Sequence, residues 1–350
     1  MPRPTKILVV RNDKLGDFML SFPALALLKQ SLPNVEIHAL VQDYTSPMAE
    51  LCPSIDKVVL DPGKDSGFKE IRQLARQLKQ EGYDAVITLF STTHIGVAVA
   101  LAGIPYRLAP ATKLAQIFYN RRLKQRRSRS DKPEYLYNRD LAEYYLNGLG
   151  IKVTSYPQTP FLSFEDAMID RLKDQFMQIH AIDKDKKLIF IHPGSGGSAN
   201  NLSVEQYAKL AESFDKQSNW QLVISAGPGE EKQAEQLVEL TKVLAPVLYI
   251  STAGLELFAQ HLAFADLFIS GSTGPLHIAG ALDRATAAFY PNRRSSTPLR
   301  WQTLSADSHR LEFSPPETAE ESDICLLYTS PSPRDSYADL VCRLLLEKMG

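Results

Sequence analysis

Three short stretches of the 350-residue chain place small residues beside carboxylate, hydroxyl or imidazole side chains where a β-rich run gives way to a helical one. The first is Arg11-Asn-Asp-Lys-Leu-Gly16-Asp17, which follows Ile7 to Val10. Gly16 permits a tight turn, and Asp17 stands at the start of the helical run from Phe18, where a carboxylate either caps the helix or acts as a base. Asp13 can cap in the same way, and spacing alone favours capping. The second stretch is Ile189-Phe-Ile-His192-Pro193-Gly194-Ser195-Gly196-Gly197-Ser198-Ala199-Asn200-Asn201. Its small residues let backbone N–H groups approach an anion, and the following helix and the Ser hydroxyls favour negative charge, so it reads as a diphosphate cradle. The third is Gly271-Ser272-Thr273-Gly274-Pro275-Leu276-His277, with Pro275 suited to a first helical turn and donors aimed at the same ligand. His277 is either part of that site or a buried structural histidine.

Several other chemistries are set aside. Gly194, Gly196 and Ala199 match GxGxxA formally, but the next strand, Gln221 to Ser225, ends without the acidic residue that holds a nicotinamide ribose, and no Gly-Lys-Ser/Thr follows. Asp183-Lys-Asp185 matches a metal-binding DxD pair but sits in a solvated charge run. His38, His94, His180, His261 and His309 lack metal-ligand spacing, so neither metal nor cofactor is implied. Cys52, Cys325 and Cys342 are scattered, which fits free thiols in a reducing, cytosolic setting.

The elements that must position these residues follow from periodicity. Short β-rich runs alternate with helical segments from Lys6 onward, which argues α/β architecture with parallel sheets. Strands are expected at Ile7 to Val10, Val35 to Leu40, Lys57 to Leu60, Ala85 to Leu89 and Tyr106 to Leu108, with helices at Phe18 to Ser31 and Phe68 to Gln80. The alternation restarts at Leu188 to Ile191 and runs to Ala285 to Phe289. Thr154 to Phe164, with Pro157 and Pro160, separates the halves, giving an N-terminal domain over 1–160 and a C-terminal domain over 161–324, with a ligand cleft where strand carboxyl ends face each other. Residues 325–335, Cys325-Leu-Leu-Tyr-Thr-Ser-Pro-Ser-Pro-Arg-Asp335, read as the translation of a widely used sequencing-library adapter and are given no function. Residues 336–350 have helical spacing of their apolar side chains.

With 39 basic and 40 acidic residues and a mean hydropathy of -0.19, composition is that of an ordinary globular protein, and an anionic partner must be held by a local patch. Lys113 to Lys132 is such a patch: Arg121, Arg122, Lys124, Arg126, Arg127 and Arg129 face only Asp131. The readings are an anionic acceptor, a negatively charged membrane surface, RNA or a solvated face, and aromatic interleaving limited to Phe118 and Tyr119 weakens RNA. The short apolar run at Ile7 to Val10 does not make a signal peptide, and no run of about eighteen apolar residues follows, so any membrane contact is peripheral.

Taken together, Ile7-Leu-Val-Val-Arg-Asn-Asp-Lys-Leu-Gly-Asp17, His192-Pro-Gly-Ser-Gly-Gly-Ser198 and Gly271-Ser-Thr-Gly-Pro-Leu-His277 resemble the family 9 glycosyltransferases, the lipopolysaccharide heptosyltransferases, over roughly residues 6 to 304. The resemblance implies a GT-B fold, two facing Rossmann-like domains with acceptor held mainly by the first and nucleotide-sugar by the second. It implies that Asp17 is the general base of an inverting, metal-independent transfer of heptose from an ADP-heptose-like donor to an anionic, lipid-linked lipopolysaccharide inner-core acceptor, with peripheral contact at the inner face of the cytoplasmic membrane and no nucleic acid partner. Donor contacts are then expected from Ser195, Gly196, Gly197, Ser198, Asn200, Ser272, Thr273, Gly274 and His277, and acceptor contacts from Asp13, Lys14, Arg121, Arg122, Lys124, Arg126 and Arg127. The chain departs from the family where Asn200 replaces a frequent Lys and Ser272 a frequent Asp; Arg300 is a candidate substitute cation. A helix N-terminus is expected to depress the Asp17 pKa and keep it a weak base. The rival readings are a nucleotide-sugar epimerase of similar shape and a non-catalytic sugar-nucleotide or glycan-binding protein.

Overall fold

The structure, a computed structural model, describes residues 4–112, 114–196, 201–212, 214, 219–291 and 293–314. The chain divides into two compact units, Met1–Phe161 and Leu162–Gly350. The adapter-like run, the helical spacing after it, Cys325, Cys342 and Lys113 lie outside the described residues.

The first unit runs β1 (Lys6–Val10), α1 (Leu15–Met19), α2 (Phe22–Ser31), β2 (Glu36–Val41), α3 (Ser46–Glu50), β3 (Lys57–Leu60), α4 (Phe68–Glu81), β4 (Ala85–Thr88), α5 (Thr93–Leu101), β5 (Tyr106–Pro110), β6 (Arg121–Leu123) and α6 (Glu134–Gly148). Its parallel sheet has the order β3-β2-β1-β4-β5-β6, so the chain winds outward from β1 on one side and then, from β4, on the other. The loop after β1 therefore sits at the switch point, the usual ligand position in such sheets. The Ile-Leu-Val-Val run of β1 is buried on both faces, as a central parallel strand requires. Its alternate residues divide the core: Leu8 and Val10 pack with Leu74 and Leu78 of α4 and Ile95 and Val99 of α5. Ile7 and Val9, one residue out of step, point to the opposite face.

The second unit runs α7 (Asp166–Ile179), β7 (Lys187–His192), α8 (Val204–Glu212), β8 (Trp220–Ala226), α9 (Glu231–Leu240), β9 (Val247–Ile250), α10 (Leu255–Leu262), β10 (Leu267–Gly271), α11 (Gly274–Ala281), β11 (Thr286–Phe289), α12 (Pro298–Trp301) and β12 (Arg310–Phe313). The parallel order β12-β11-β10-β7-β8-β9 puts its switch point between β7 and β10, so the second and third small-residue turns are neighbours.

Three elements differ from expectation. The helix expected over Phe18 to Ser31 is two, α1 and α2, because Pro23 has no N–H to donate and fits only a first turn; Ser21 Oγ closes the break by donating to the Phe18 carbonyl at 2.5 Å. Part of the basic stretch forms the edge strand β6, which pairs with β5 through Leu108 and Arg121. The sheet of the second unit likewise ends in an edge strand, β12, beside β11. Both edges carry charged side chains, a common guard against further pairing, and so lack the apolar signature of a strand.

Gly280 shows how tightly α11 is packed. A Cβ there would stand 2.7 Å from Thr303 Cβ and 2.9 Å from the Leu304 amide nitrogen. Helix propensity favours Gly280→Ala by about 1 kcal/mol, but overpacking against backbone costs about 1–3 kcal/mol and should win. Thermal denaturation should show Tm falling by roughly 2–6 °C; an unchanged or higher Tm would show that the 303–304 segment yields freely.

Candidate functional site

Because Arg11 continues the parity of Ile7 and Val9, its side chain leaves the end of β1 toward the face covered by α2 and α6. There it is 2% exposed and bonded in every direction. Its Nε donates to Asp13 Oδ1 at 2.7 Å, its Nη2 to Asp17 Oδ1 at 2.5 Å, and its Nη1 to Glu134 Oε1 at 3.1 Å and Asn138 Oδ1 at 2.9 Å. Asn138 in turn donates to the Leu20 carbonyl, which ties α6 to the α1–α2 break. Arg127, from the basic stretch, reaches the same Glu134 oxygen at 2.6 Å. Three carboxylates thus meet two guanidinium groups.

Neither Asp13 nor Asp17 caps a helix. The N-cap of α1 is Lys14, no side chain caps it, and Asp17 lies in the middle of that five-residue helix. The expected depression of the Asp17 pKa is also overturned. Burial, reinforced by the Asp13 and Glu134 charges, pushes the Asp17 carboxyl up to about 7 against the pull of Arg11. One short turn of helix is too weak a dipole to compete with desolvation among like charges. Burial raises Asp13 as well, and although burial alone would lower Arg11, its carboxylates hold its proton more firmly than usual.

The next residue, Asn12, has the parity of Val10 and turns to the α4–α5 face. Its Nδ2 donates to buried Asp61 Oδ2 at 2.6 Å, while Asp61 Oδ1 lies 2.9 Å from His94 Nε2 and accepts the Gly63 amide. Gln42 Nε2 donates to the Asn12 carbonyl and Tyr44 Oη to that of Asp13. The loop carrying Asp17 is therefore pinned on both faces of the sheet. Sequence reading missed Asp61, His94 and Glu134, whose partnerships with Asn12, with each other and with Arg11 span 33 to 123 residues.

Of the other expected acceptor contacts, Lys14, Arg122, Lys124 and Arg126 are exposed. Arg121, also exposed, lies over the Tyr106 ring and donates to the Asn120 carbonyl. Among the described basic residues from 114 to 132, Arg127 is the one that reaches the Asp17 cluster.

In the second unit, Gly197, Ser198 and Asn200 lie outside the described residues, but Ser195 and Gly196 follow β7 as expected. The Gly196 amide is engaged: it donates to Glu230 Oε1 at 2.7 Å. Glu230 Oε2 accepts the Gly227 amide at 3.1 Å and lies 3.1 Å from His192 Nε2, whose Nδ1 is 3.1 Å from Ser225 Oγ. A Cβ on Gly194 would stand 2.2 Å from the Glu230 carboxyl carbon, so only glycine admits this approach. Burial opposes ionisation of Glu230, but His192 and the two amides outweigh it and take the carboxyl down to about 2. Its sequence signal was the Gly227-Pro-Gly-Glu230 turn, which puts Glu230 five residues past Ser225, the strand end at which an acidic residue was sought.

Asn201 joins the second and third turns. Its Nδ2 donates to the Pro193 carbonyl at 2.9 Å, it accepts from Tyr207 Oη at 2.5 Å, and a Cβ on Gly271 would stand 2.5 Å from its Oδ1. Ser272 and Gly274 are half-buried at the entrance to α11, and Thr273, its N-cap, has Oγ1 3.2 Å from Ser270 Oγ. His277 is fully buried with Nδ1 unpartnered, and burial lowers it to about 4, so it is a neutral imidazole near pH 7 rather than a cation for phosphate. Arg300, on α12, has its guanidinium over the Trp301 ring. Among the described residues no group of three or more His, Cys, Asp or Glu side chains is placed to hold a metal.

Residues 71–325 match the family model for glycosyltransferase family 9 (heptosyltransferase). A Haemophilus influenzae protein provisionally described as a glycosyltransferase is 45% identical over 315 residues, covering 90% of each chain. Lipopolysaccharide heptosyltransferase 1 of Campylobacter coli is 24% identical over 299 residues, covering 81% of this chain and 83% of its own. In fold the chain is similar to E. coli ADP-heptose lipopolysaccharide heptosyltransferase II, with a TM-score of 0.77 at 18% identity over 99% of this chain and 100% of that one. The two parallel α/β sheets are those of the GT-B fold.

The Glu230 contacts make a testable claim about stability. A carboxyl held below its unfolded pKa contributes stability above the ordinary carboxylate range and loses it as pH falls toward the folded value. Glu230→Gln should therefore cost about 1–3 kcal/mol at pH 7. In denaturant titrations the gap should hold from pH 8 to about 5 and narrow below about 4.5. A gap independent of pH would remove the charge from the explanation.

Proposed function

The chain belongs to glycosyltransferase family 9, the heptosyltransferase family, and from that premise we propose that it is an inverting, metal-independent enzyme moving heptose from an ADP-heptose-like donor to the anionic inner core of a lipopolysaccharide precursor. The observation that carries the reading is Asp17: a half-buried carboxylate at the carboxyl end of the central strand, held by Arg11 yet raised close to neutrality. A base poised near the working pH is the most effective kind. Asp17 takes the proton of an acceptor hydroxyl as its oxygen attacks the anomeric carbon. The bond from that carbon to the diphosphate breaks, and the electron pair leaves with the nucleoside diphosphate.

With the Gly196 amide engaged by Glu230, the donor phosphates fall to the start of α11, where the first amides have no intrahelical partner and Thr273 adds a hydroxyl. Glu230, ionised and able only to accept, suits the ribose hydroxyls of the donor. Ser195, Ser272 and Gly274 border the same turns, and Gly197, Ser198 and Asn200 complete the expected donor set. His277 contributes as a neutral hydrogen-bonding group.

Acceptor binding is assigned to Asp13, Lys14, Arg121, Arg122, Lys124, Arg126 and Arg127. Leu114 and Ile117, 86% and 70% exposed, precede the exposed arginines of β6, a pairing of apolar and cationic side chains that favours contact with anionic headgroups at the inner face of the cytoplasmic membrane. No helix among the described residues is long and apolar enough to cross a membrane.

The test is incubation with a panel of nucleotide sugars and truncated core acceptors, with products read by mass. Transfer from ADP-heptose alone supports the full reading; turnover without acceptor indicates an epimerase, and binding without turnover a non-catalytic protein. Asp17→Asn should reduce transfer by about 10²–10⁴-fold while leaving donor affinity intact. Because a base works ionised, kcat/KM should rise with pH through about 7. Retained turnover in the variant, or a flat profile from pH 5 to 8, would remove Asp17 as the base.

A further inference from the structure

Arg127 reaches the base chiefly through a shared carboxylate, with a weaker second contact at 3.5 Å to Asn138 Oδ1, which also accepts from Arg11 Nη1. Its Nη1 lies 2.6 Å from Glu134 Oε1, the oxygen that also accepts from Arg11 Nη1 at 3.1 Å, and Arg11 Nη2 is bonded to Asp17 Oδ1 at 2.5 Å. Four side chains of alternating charge thus run in series from the basic stretch to Asp17. Arg11 and Glu134 are 2% exposed, Arg127 and Asp17 about 15%. The inner links are shielded from solvent, so a change at one end is felt at the other. Arg127 is held in place by Nε donating to Gln125 Oε1 at 3.0 Å.

We propose that Glu134 is a positioning residue that sets how firmly Arg11 grips Asp17, and that Arg127 governs this setting by neutralising Glu134 from the far side. The role of Asp17 as base comes from the reading above, whereas the coupling itself is a property of the folded chain. Among the described residues, the charged or titratable groups that face Asp17 or its partners include Arg11 and Asp13 on its own loop, Tyr44 from the 43–45 turn, Glu134 from α6, Arg127 from the 127–129 turn, and exposed Lys14. Phe90 adds an aromatic face to Arg11 at 5.9 Å.

The series predicts opposite signs for Glu134 and Arg127. Glu134→Gln removes a negative charge facing Asp17 and leaves Arg11 more fully to it, so Asp17 should bind its proton less tightly. Arg127→Gln leaves the Glu134 charge unopposed, draws Arg11 toward Glu134, and should make Asp17 bind its proton more tightly. A merely structural role for either residue gives no such reversal.

The experiment is a carboxyl ¹³C NMR titration of the full chain labelled at aspartate, with the Asp17 signal assigned by its loss in Asp17→Asn. The midpoint should fall by about half a pH unit or more in Glu134→Gln and rise in Arg127→Gln. In the double variant Arg127→Gln should add little, because the charged link it acts through is gone and the 3.5 Å contact with neutral Asn138 is what is left. Midpoints that do not move, that move in the same direction, or that add independently would overturn the coupling. If Glu134→Gln fails to fold, Arg127→Gln alone decides: no upward shift rejects the proposal. No substrate is needed, so the reaction can be tested apart. Should the NMR midpoints shift while the acid limb of kcat/KM stays fixed, the coupling stands and Asp17 is rejected as the base.

Discussion

The first unit depends on a buried guanidinium group that must satisfy three carboxylates at once. Arg11 cannot shed its charge, and its rigid fork aims donors at Asp13, Asp17, Glu134 and Asn138 from fixed directions. Even with Arg127 counted, acids outnumber bases in the cluster by one. Such an arrangement is poor evidence for stability, since buried ion pairs recover little beyond their desolvation cost. Its effect is on proton affinity: burial and the surplus of like charge raise Asp17 and Asp13 together against the pull of Arg11. A strand that alternates its side chains builds this economically, sending Arg11 to one face and Asn12 to the other, so that one loop is fixed from both sides of the sheet.

The second unit solves a different problem with similar means. Here the carboxylate of Glu230 is stabilised by two backbone amides and His192 and is driven strongly toward its ionised form. Asp17 and Glu230 are both partly withdrawn from solvent, yet one is raised and the other lowered. The difference is the company each keeps: acids around Asp17, donors around Glu230. Glycine at 194 is what lets the Glu230 carboxyl come so near the backbone.

Much of this was legible in the sequence, for identifiable reasons. The central strands announce themselves through β-branched runs, and the turns at Gly194 and Gly271 through their small residues. Asp17 was singled out by the family resemblance, since spacing alone favoured a helix cap. Hidden elements share another trait: β6 and β12 are edge strands whose charged residues look like loop, and the α1–α2 break lies inside an unbroken apolar run. Asp17's proton affinity was misjudged because it depends first on burial, then on Asp13, and also on Glu134, which reaches Arg11 across 123 positions of chain. Local spacing reveals which groups are available but not which distant side chain will be folded against them.

That long reach has a consequence during synthesis. Asp17 leaves the ribosome early, but α6, which begins at Glu134, follows much later, and until it docks Arg11 has only its near neighbours to bind. A nascent chain with β1 and its first partners already paired would hold Asp17 in an electrostatic setting unlike the mature one. The full set of partners around Arg11, and with it the proton affinity of Asp17 in the folded chain, is therefore complete only once α6 has been made and docked.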